Sequence, residues 1–285
     1  MHDFEGEMVE VWEPLPAGRR LALPADKPLI NLVLFLLTLA STWSMWGGRY
    51  SLAVTAILGA HEMGHYIACR RHGMRSTLPF FIPFPFFNPF GTLGAVIQIR
   101  TPFFDRRSLF DVGAAGPFAG LIVTAFVLML GFTLPFEPKM KTLSASFKPE
   151  PQLLMQGFSL LMRGSTVSGA QIIANPLLYA GWVGLFVTSL NLLPIGQLDG
   201  GHILYSVFGP KTRLMMIFFI VLLGILTFFN MGWALLFLIL LIFGRHHPPP
   251  IDNYTPLDRR RRRLAITAAV IFALTFTPFP FTVLR

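Results

Sequence analysis

The sequence predicts an all-α polytopic membrane protein with six to seven transmembrane helices and a short membrane-associated β element between spans 2 and 3. Of the 285 residues, 53% are hydrophobic and only 13% are charged. A typical soluble domain carries about 25% charged residues. Several apolar runs also reach the roughly 17–25 residues that a helix needs to cross a bilayer. This composition excludes a soluble enzyme, a disordered chain and a disulfide-stapled secreted domain.

The predicted integral membrane domain covers residues 28–282. It follows residues 1–27, which are acidic, contain prolines and are expected to lie in the cytosol. The predicted spans are about 28–46, 50–70, 109–135, 177–208, 214–229, 231–244 and 264–282. We interpret the short runs 214–229 and 231–244 as a hairpin of two short helices. The alternative is one long, kinked helix.

The distribution of basic residues predicts the orientation. With the N-terminus inside, the inner segments hold 17 Lys and Arg residues and the outer segments hold 6. This positive-inside bias is typical of a membrane protein, so the net charge of +9 does not indicate a nucleic-acid partner. Joining the hairpin into one helix would place the arginines at 259–263 outside, which favours two helices. We expect these arginines to contact anionic lipid headgroups, so membrane lipids are predicted partners.

The connection between spans 2 and 3 is too long for a simple turn. Residues 79–90 are apolar but so rich in proline that they cannot form a helix. Residues 91–100 are rich in β-branched side chains and predict a strand or hairpin. The alternative for residues 79–100 is a membrane-surface loop that only plugs the helix bundle. Farther on, residues 152–163 predict an amphipathic helix on the outer membrane face.

The second span contains the most informative motif, His61-Glu62-Met63-Gly64-His65. In a helix, the two imidazoles lie one turn apart on one face, with the carboxylate beside them. Ionisable groups inside a membrane are costly and usually functional. This spacing is typical of a zinc site with an adjacent general base. The alternative is a polar cluster that only holds helices together.

Two histidines are not a complete catalytic zinc site, which takes three protein ligands. Asp199 in the fourth span matches His61 in depth, at roughly 13 Å from the inner surface. Pro194 and Gly196 break the fourth helix just before Asp199, so the freed backbone must line a cavity or be buried in protein. Asp199 is therefore a candidate third ligand, with a helix cap as the alternative. His202 is left open between a supporting group, a substitute ligand and a packing residue.

Together these motifs resemble the site-2 protease family of intramembrane zinc metallopeptidases. The resemblance covers residues 28–282 and is carried by His61-Glu62-Met63-Gly64-His65, Asn191-x-x-Pro194-x-x-x-Leu198-Asp199-Gly200, Gly91-Thr92-Leu93-Gly94-Ala95 and Gly116-Pro117-Phe118-Ala119-Gly120. The segment Pro248-Pro249-Pro250 to Arg259 is similar to bacterial members. The resemblance therefore implies a multi-pass protein of a bacterial inner membrane, with a cytosolic N-terminus and an active site near the cytosolic side. We expect neither the inserted peptide-binding domain nor the C-terminal nucleotide-binding domain of some members, since no segment of this sequence is long enough for either.

The resemblance also implies the chemistry. It implies one Zn²⁺ per chain held by His61, His65 and Asp199, with Glu62 as the catalytic base. It implies hydrolysis of peptide bonds in transmembrane protein substrates. It places Asn191 near the substrate or oxyanion, and the alternative for Asn191 is an ordinary interhelical hydrogen bond. We interpret Gly113, Gly116 and Gly120 as close helix contacts rather than as ligand sites.

A helical substrate hides its peptide bonds, so it must be extended before it can be cut. The predicted strand offers an edge to which an extended substrate could add. The candidate substrate strand is Gly94-Ala95-Val96-Ile97.

The same residues also suit other functions. The same His and Asp groups would suit a non-proteolytic membrane metal transporter or sensor, but such a site has no need of a base at Glu62. A catalytically silent scaffold is a further alternative. A membrane metalloprotease of a different fold is expected to use a glutamate as third ligand, and no unassigned glutamate lies inside a predicted span.

Overall fold

The computed structural model describes residues 28–86, 88–134, 147–243 and 248–283. The expectation for residues 1–27 lies outside the described residues. The helices are α1 (Pro28–Trp46), α2 (Gly48–Arg71), α3 (Arg106–Thr133), α4 (Leu153–Arg163), α5 (Gly169–Ala174), α6 (Pro176–Asn191), α7 (Asp199–Phe208), α8 (Thr212–Phe229), α9 (Ala234–Phe243) and α10 (Arg259–Thr275). The strands are β1 (Phe80–Pro83), β2 (Thr92–Val96), β3 (Phe147–Pro149) and β4 (Phe281–Val283).

The mainly helical fold is as predicted, but six to seven spans are not confirmed. Within the described residues, three helical stretches are long and apolar enough to cross a membrane: Pro28–Trp46, Arg106–Thr133 and Asp199–Phe229. The last stretch joins α7 and α8 through the short 3-10 turn Gly209–Lys211. The remaining predicted spans are occupied by helices that are short, such as α9 with 10 residues, or polar, such as α2. These helices are consistent with an integral membrane protein, but they do not establish the number of crossings.

Two predicted spans have boundaries that differ from those of the observed helices. The run 177–208 divides into α6 and α7, separated by the non-helical segment 192–198. The run 264–282 ends as a helix at Thr275, and β4 follows. Pro278 and Pro280 explain the second change, because proline removes a backbone donor and restricts the residue before it.

The segment 214–244 forms two helices, as the hairpin interpretation predicts. The Asn230 side chain accepts a hydrogen bond from the amide of Gly232 at 2.9 Å and caps the turn between them. A β-carbon placed on Gly224 of α8 would lie 3.1 Å from the Phe237 ring of α9. The amphipathic helix expected at 152–163 is α4, which ends at Gly164 in the left-handed conformation, with φ 69°.

The β element is a two-stranded antiparallel sheet of β1 and β2, with Phe80 opposite Val96. Strand β2 lies inside the predicted stretch 91–100. Its partner β1 comes from the proline-rich stretch 79–90. Backbone pairing continues beyond both strands: the amide of Thr77 donates to Gln98 at 3.0 Å, and the amide of Arg100 donates to Arg75 at 2.8 Å. A second small sheet pairs β3 with β4.

Helices α2, α3 and α6 form the centre of the molecule and position the site. Their close packing depends on glycine. A β-carbon on Gly64 of α2 would lie 2.4 Å from the Ala115 carbonyl oxygen of α3. One on Gly181 of α6 would lie 2.4 Å from the Leu128 side chain of α3. Small residues thus let the backbones approach closely, as in other helix pairs in membranes.

Candidate metal centre

The two histidines of the motif lie on one buried face of α2. His61 is 4% exposed and His65 is 7% exposed. Their Nε2 atoms are 3.2 Å apart. One helical turn separates the rings, so both point toward the same space.

Asp199 reaches these histidines from the first residue of α7. Its Oδ2 atom is 3.2 Å from Nε2 of His61 and 3.3 Å from Nε2 of His65. The segment 192–198 wraps tightly against the start of α7, since a β-carbon on Gly200 would lie 2.0 Å from the Leu192 carbonyl oxygen. The N-cap of α7 is Leu198, and no side-chain cap forms there. The structure therefore directs the Asp199 carboxylate to the histidines rather than to the helix end.

The three side chains fit a zinc ion. Among the described residues, His61, His65 and Asp199 offer donor atoms that lie within 4.8 Å of one another. In a tetrahedral zinc site with bonds of about 2.0–2.1 Å, neighbouring ligand atoms are about 3.3 Å apart. The observed separations of 3.2, 3.2 and 3.3 Å match this spacing. Two imidazoles and one carboxylate also form a donor set that zinc commonly takes.

A backbone carbonyl orients His65. Its Nδ1 atom is 2.7 Å from the carbonyl oxygen of Val112 on α3. Because a carbonyl can only accept, Nδ1 carries the proton, and Nε2 of the neutral ring keeps its lone pair. Such a bond fixes the ring and the tautomer of a metal-binding histidine.

A row of glycines on α3 covers the two imidazoles. A β-carbon on Gly116 would lie 2.0 Å from Nε2 of His65, and one on Gly120 would lie 3.2 Å from the His61 ring. One on Gly113 would lie 2.8 Å from the β-carbon of His202. These glycines are close helix contacts, as predicted. The sequence did not indicate that the surface they meet includes the histidines of the site.

Glu62 is 8% exposed and lies next to the histidines on α2. The backbone amide of Ile97 lies near its carboxylate. This contact connects the HExxH helix to the segment just after β2. It brings the predicted substrate strand and the predicted base together.

One edge of β2 is paired with β1, and the opposite edge faces Glu62 on α2. The backbone groups of Gln98 and Arg100 pair toward Thr77 and Arg75. Because backbone groups alternate along a strand, those of Ala95 and Ile97 point to the opposite edge. The position of the Ile97 amide near Glu62 agrees with this alternation. Gly94 and Val96 pair with β1 at Ile82 and Phe80.

Asn191 and His202 lie at the margins of the cluster. Nδ2 of Asn191, the last residue of α6, is 3.1 Å from Nε2 of His61. The His202 ring packs near Phe103, with 5.4 Å between ring centroids. His202 is not part of the three-residue group found among the described residues. Sequence reasoning missed two backbone partners, the Val112 carbonyl and the Ile97 amide, because such groups carry no residue-type signal.

Comparison with known proteins agrees with this geometry. The model of peptidase family M50, the site-2 protease family, matches residues 49–229. The chain belongs to this family. The matched range includes both histidines, Glu62, Asn191 and Asp199.

Named relatives in plants are also similar. The chain is 30% identical over 240 residues to the probable zinc metalloprotease EGY2, chloroplastic, of Oryza sativa subsp. indica, covering 82% of this chain and 43% of that protein. It is 29% identical over 244 residues to the probable zinc metalloprotease EGY1, chloroplastic, of Arabidopsis thaliana, covering 79% and 42%. The chain thus spans less than half the length of these relatives. Because they are chloroplastic, they do not support the expected bacterial inner membrane.

Proposed function

We propose that this protein is an intramembrane zinc metalloendopeptidase that hydrolyses peptide bonds of transmembrane substrates. One observation carries the proposal: two imidazole nitrogens and one carboxylate oxygen meet at 3.2–3.3 Å, beside a buried glutamate. His61, His65 and Asp199 would hold a single zinc ion. When bound, zinc acts as a Lewis acid that polarises the scissile carbonyl and makes a water molecule more acidic.

Glu62 is the general base in this mechanism. Its carboxylate takes a proton from the attacking water and later delivers that proton to the leaving amine. The short helical spacing between Glu62 and His61 holds the carboxylate at the edge of the metal site. The Ile97 amide lies close enough to the carboxylate to help orient it.

Asn191 is a candidate oxyanion donor. Its amide nitrogen lies 3.1 Å from the Nε2 atom of a proposed ligand, His61. A side-chain N–H at this position can donate a hydrogen bond to the negative charge that develops on the scissile carbonyl oxygen.

The free edge of β2 supplies a place for an extended substrate. Backbone groups of Ala95 and Ile97 face that edge, while Gly94 and Val96 keep the strand paired with β1. A peptide that adds here by β-augmentation is held extended through main-chain hydrogen bonds. Because Ile97 also contacts Glu62, the peptide comes to lie beside the base.

The cellular setting is part of the proposal. Residues 28–282 would form the membrane domain, with residues 1–27 in the cytosol and the site near the cytosolic side. The positive-inside bias supports this orientation. The bacterial inner membrane rests only on the similarity of the segment around Pro248–Arg259 to bacterial members.

The decisive test is Glu62→Gln in the full chain, purified with zinc and assayed on a panel of single-span transmembrane substrates. We expect cleavage to fall by about 10²–10⁴-fold, the typical contribution of a general base. Zinc content should stay at that of the unchanged protein. Glu150→Gln is the matched control, since Glu150 contacts Thr282 in the small β3–β4 sheet region, away from the three ligands.

The results also separate the alternative function. If Glu62→Gln cleaves as fast as the unchanged protein, the assigned mechanism is wrong. If the zinc-loaded protein cleaves none of the substrates but moves zinc into sealed vesicles, the metal transporter is the correct function.

A further inference from the structure

A cavity separate from the metal centre opens where three helices end. It has a volume of about 440 Å³ and lies between the last turns of α2, the first turns of α3 and the start of α10. This volume falls in the range of small-molecule sites, about 300–1,000 Å³. Its lining combines cationic side chains with apolar ones, and none of its residues is one of the proposed zinc ligands.

The polar part of the cavity lining carries more positive than negative charge. Asp111 is the one acidic residue among the described residues that line the cavity. Arg261 donates to its carboxylate from Nη2 at 2.6 Å and from Nε at 2.8 Å. Asp111 also contacts His72 at 2.9 Å. Its charge is therefore compensated within the protein. The hydrogen bonds to Asp111 raise the pKa of Arg261, so this guanidinium stays charged.

Arg71 and Arg260 are the two remaining guanidinium groups of the lining. Neither forms an ion pair with another residue of the described part of the chain. One comes from the end of α2 and the other from the first turn of α10, so they approach the cavity from two helices. Arginine binds phosphate oxygens through paired N–H groups, which makes two such side chains a fitting phosphate clamp.

The apolar part of the lining comes from all three helices. It includes Phe110 and Phe118 of α3, Ile67 of α2 and Leu264 of α10. Ile67 and Leu264 each lie one helical turn farther into their helix than Arg71 and Arg260. Ile67 is 45% exposed and Leu264 is 37% exposed. In a membrane helix such side chains meet lipid. The cavity therefore joins a cationic end at the helix termini to an apolar face that hydrocarbon covers.

We propose that this cavity binds one anionic phospholipid. Its phosphate would lie between Arg71 and Arg260, and its acyl chains would follow Ile67, Phe118 and Leu264 into the membrane. A free phosphate would satisfy the arginines but leave the apolar lining without a partner. A zwitterionic lipid would satisfy the apolar lining but carry its own cation to the arginines. Arginines beside a membrane span at an anionic leaflet favour the charged lipid.

The test measures lipid binding directly, so it does not depend on the proposed peptidase activity. The full chain is purified with zinc, stripped of lipid and mixed with dioleoylphosphatidylglycerol or dioleoylphosphatidylcholine, which share their acyl chains. Native mass spectrometry then counts the retained lipids. We expect one phosphatidylglycerol to be retained in preference to phosphatidylcholine, and millimolar inorganic phosphate should not displace it.

Two double variants remove the same charge from different places. Arg71→Ala/Arg260→Ala should weaken phosphatidylglycerol binding about tenfold or more, because two charge-assisted hydrogen-bonding groups are lost. Arg259→Ala/Arg263→Ala changes two exposed arginines outside the cavity lining and should bind as the unchanged protein does. Arg71→Lys/Arg260→Lys keeps both charges but loses the paired N–H groups, so it should bind more weakly than the unchanged protein and more tightly than Arg71→Ala/Arg260→Ala. Equal zinc content in all variants verifies that they are folded.

Three outcomes would overturn the proposal. The first is equal retention of the two lipids. The second is equal loss of binding in both alanine variants, which would indicate general attraction to a basic surface. The third is displacement by inorganic phosphate, which would indicate an anion site without a lipid chain.

Discussion

Gly116 of α3 meets the imidazole of His65 with no room for a side chain: a β-carbon there would lie 2.0 Å from Nε2. The same nitrogen is a proposed zinc ligand, and the opposite nitrogen of the ring is held by Val112 at 2.7 Å. The ring is thus enclosed between α2 and α3. The glycine matters for the metal centre although it offers no ligand atom.

Gly116→Ala should therefore lose zinc. The added methyl group must push the imidazole away from the other two ligands, and a misplaced ligand lowers metal affinity by about 10–100-fold or more. Zinc content of the purified protein measures this. Gly157→Ala is the control, because a β-carbon at Gly157 on α4 meets nothing within 4 Å. That control should keep its zinc and gain roughly 0.5–1 kcal/mol in stability from helix propensity. Zinc retained in Gly116→Ala would contradict the packing argument.

Asp199→Ala should abolish stoichiometric zinc binding, since only two protein ligands would remain. His202→Ala is a matched control, because His202 lies one turn farther along α7 and packs near Phe103. We expect the His202 variant to keep one zinc per chain. Elemental analysis measures the zinc content of both variants. An Asp199→Ala protein with full zinc content would remove Asp199 from the ligand set.

Asn191→Ala should lower kcat by about 10²–10³-fold, as removal of an oxyanion donor does. A merely structural interhelical bond would instead cost about 0.6 kcal/mol of stability and leave kcat unchanged. Steady-state kinetics and thermal unfolding of the same sample distinguish these results. Asn175→Ala provides a comparison, because Asn175 caps α6 at its other end; it should affect stability rather than kcat.

Ala95→Pro should reduce cleavage of transmembrane substrates by roughly 2–10-fold, because one edge donor is lost. Proline is tolerated where the amide faces a free edge, so the β1–β2 pairing should persist. Ala95→Gly keeps the amide and is the control. Zinc content should be the same in both variants. Equal cleavage by the two would show that substrates do not pair with this edge.

The approach of the two histidines to each other was predictable from the sequence, because helical periodicity alone places His61 and His65 on one face with Glu62 beside them. Pro194 and Gly196 likewise indicated the break that frees Asp199. Strand β1 was not predicted, because a proline-rich run shows that a helix is absent without showing what pairs with it. The Ile97–Glu62 contact was not predictable either, since any residue type could supply that amide.

The number of spans was the least predictable feature. Hydropathy measures how apolar a run is, and it does not show where a helix stops within that run. Helix α10 illustrates this limit: its apolar run continues to 282, yet the helix ends at Thr275 and the chain turns into β4. The count of Lys and Arg on each side of the membrane predicted two helices for 214–244 better than the lengths of the apolar runs did. This count depends on the positions of all spans together.

Asp199 and the two histidines come from opposite ends of the family-matched region, yet their donor atoms lie within 4.8 Å. A bound ion at this point would act as a cross-link that closes about half of the chain, residues 61–199, into one loop. Because the three ligands come together only in the folded chain, the free energy of binding the ion adds to the stability of the folded state. Treatment with a chelator should therefore loosen the whole helix bundle, and the apoprotein should unfold at a lower temperature than the loaded form.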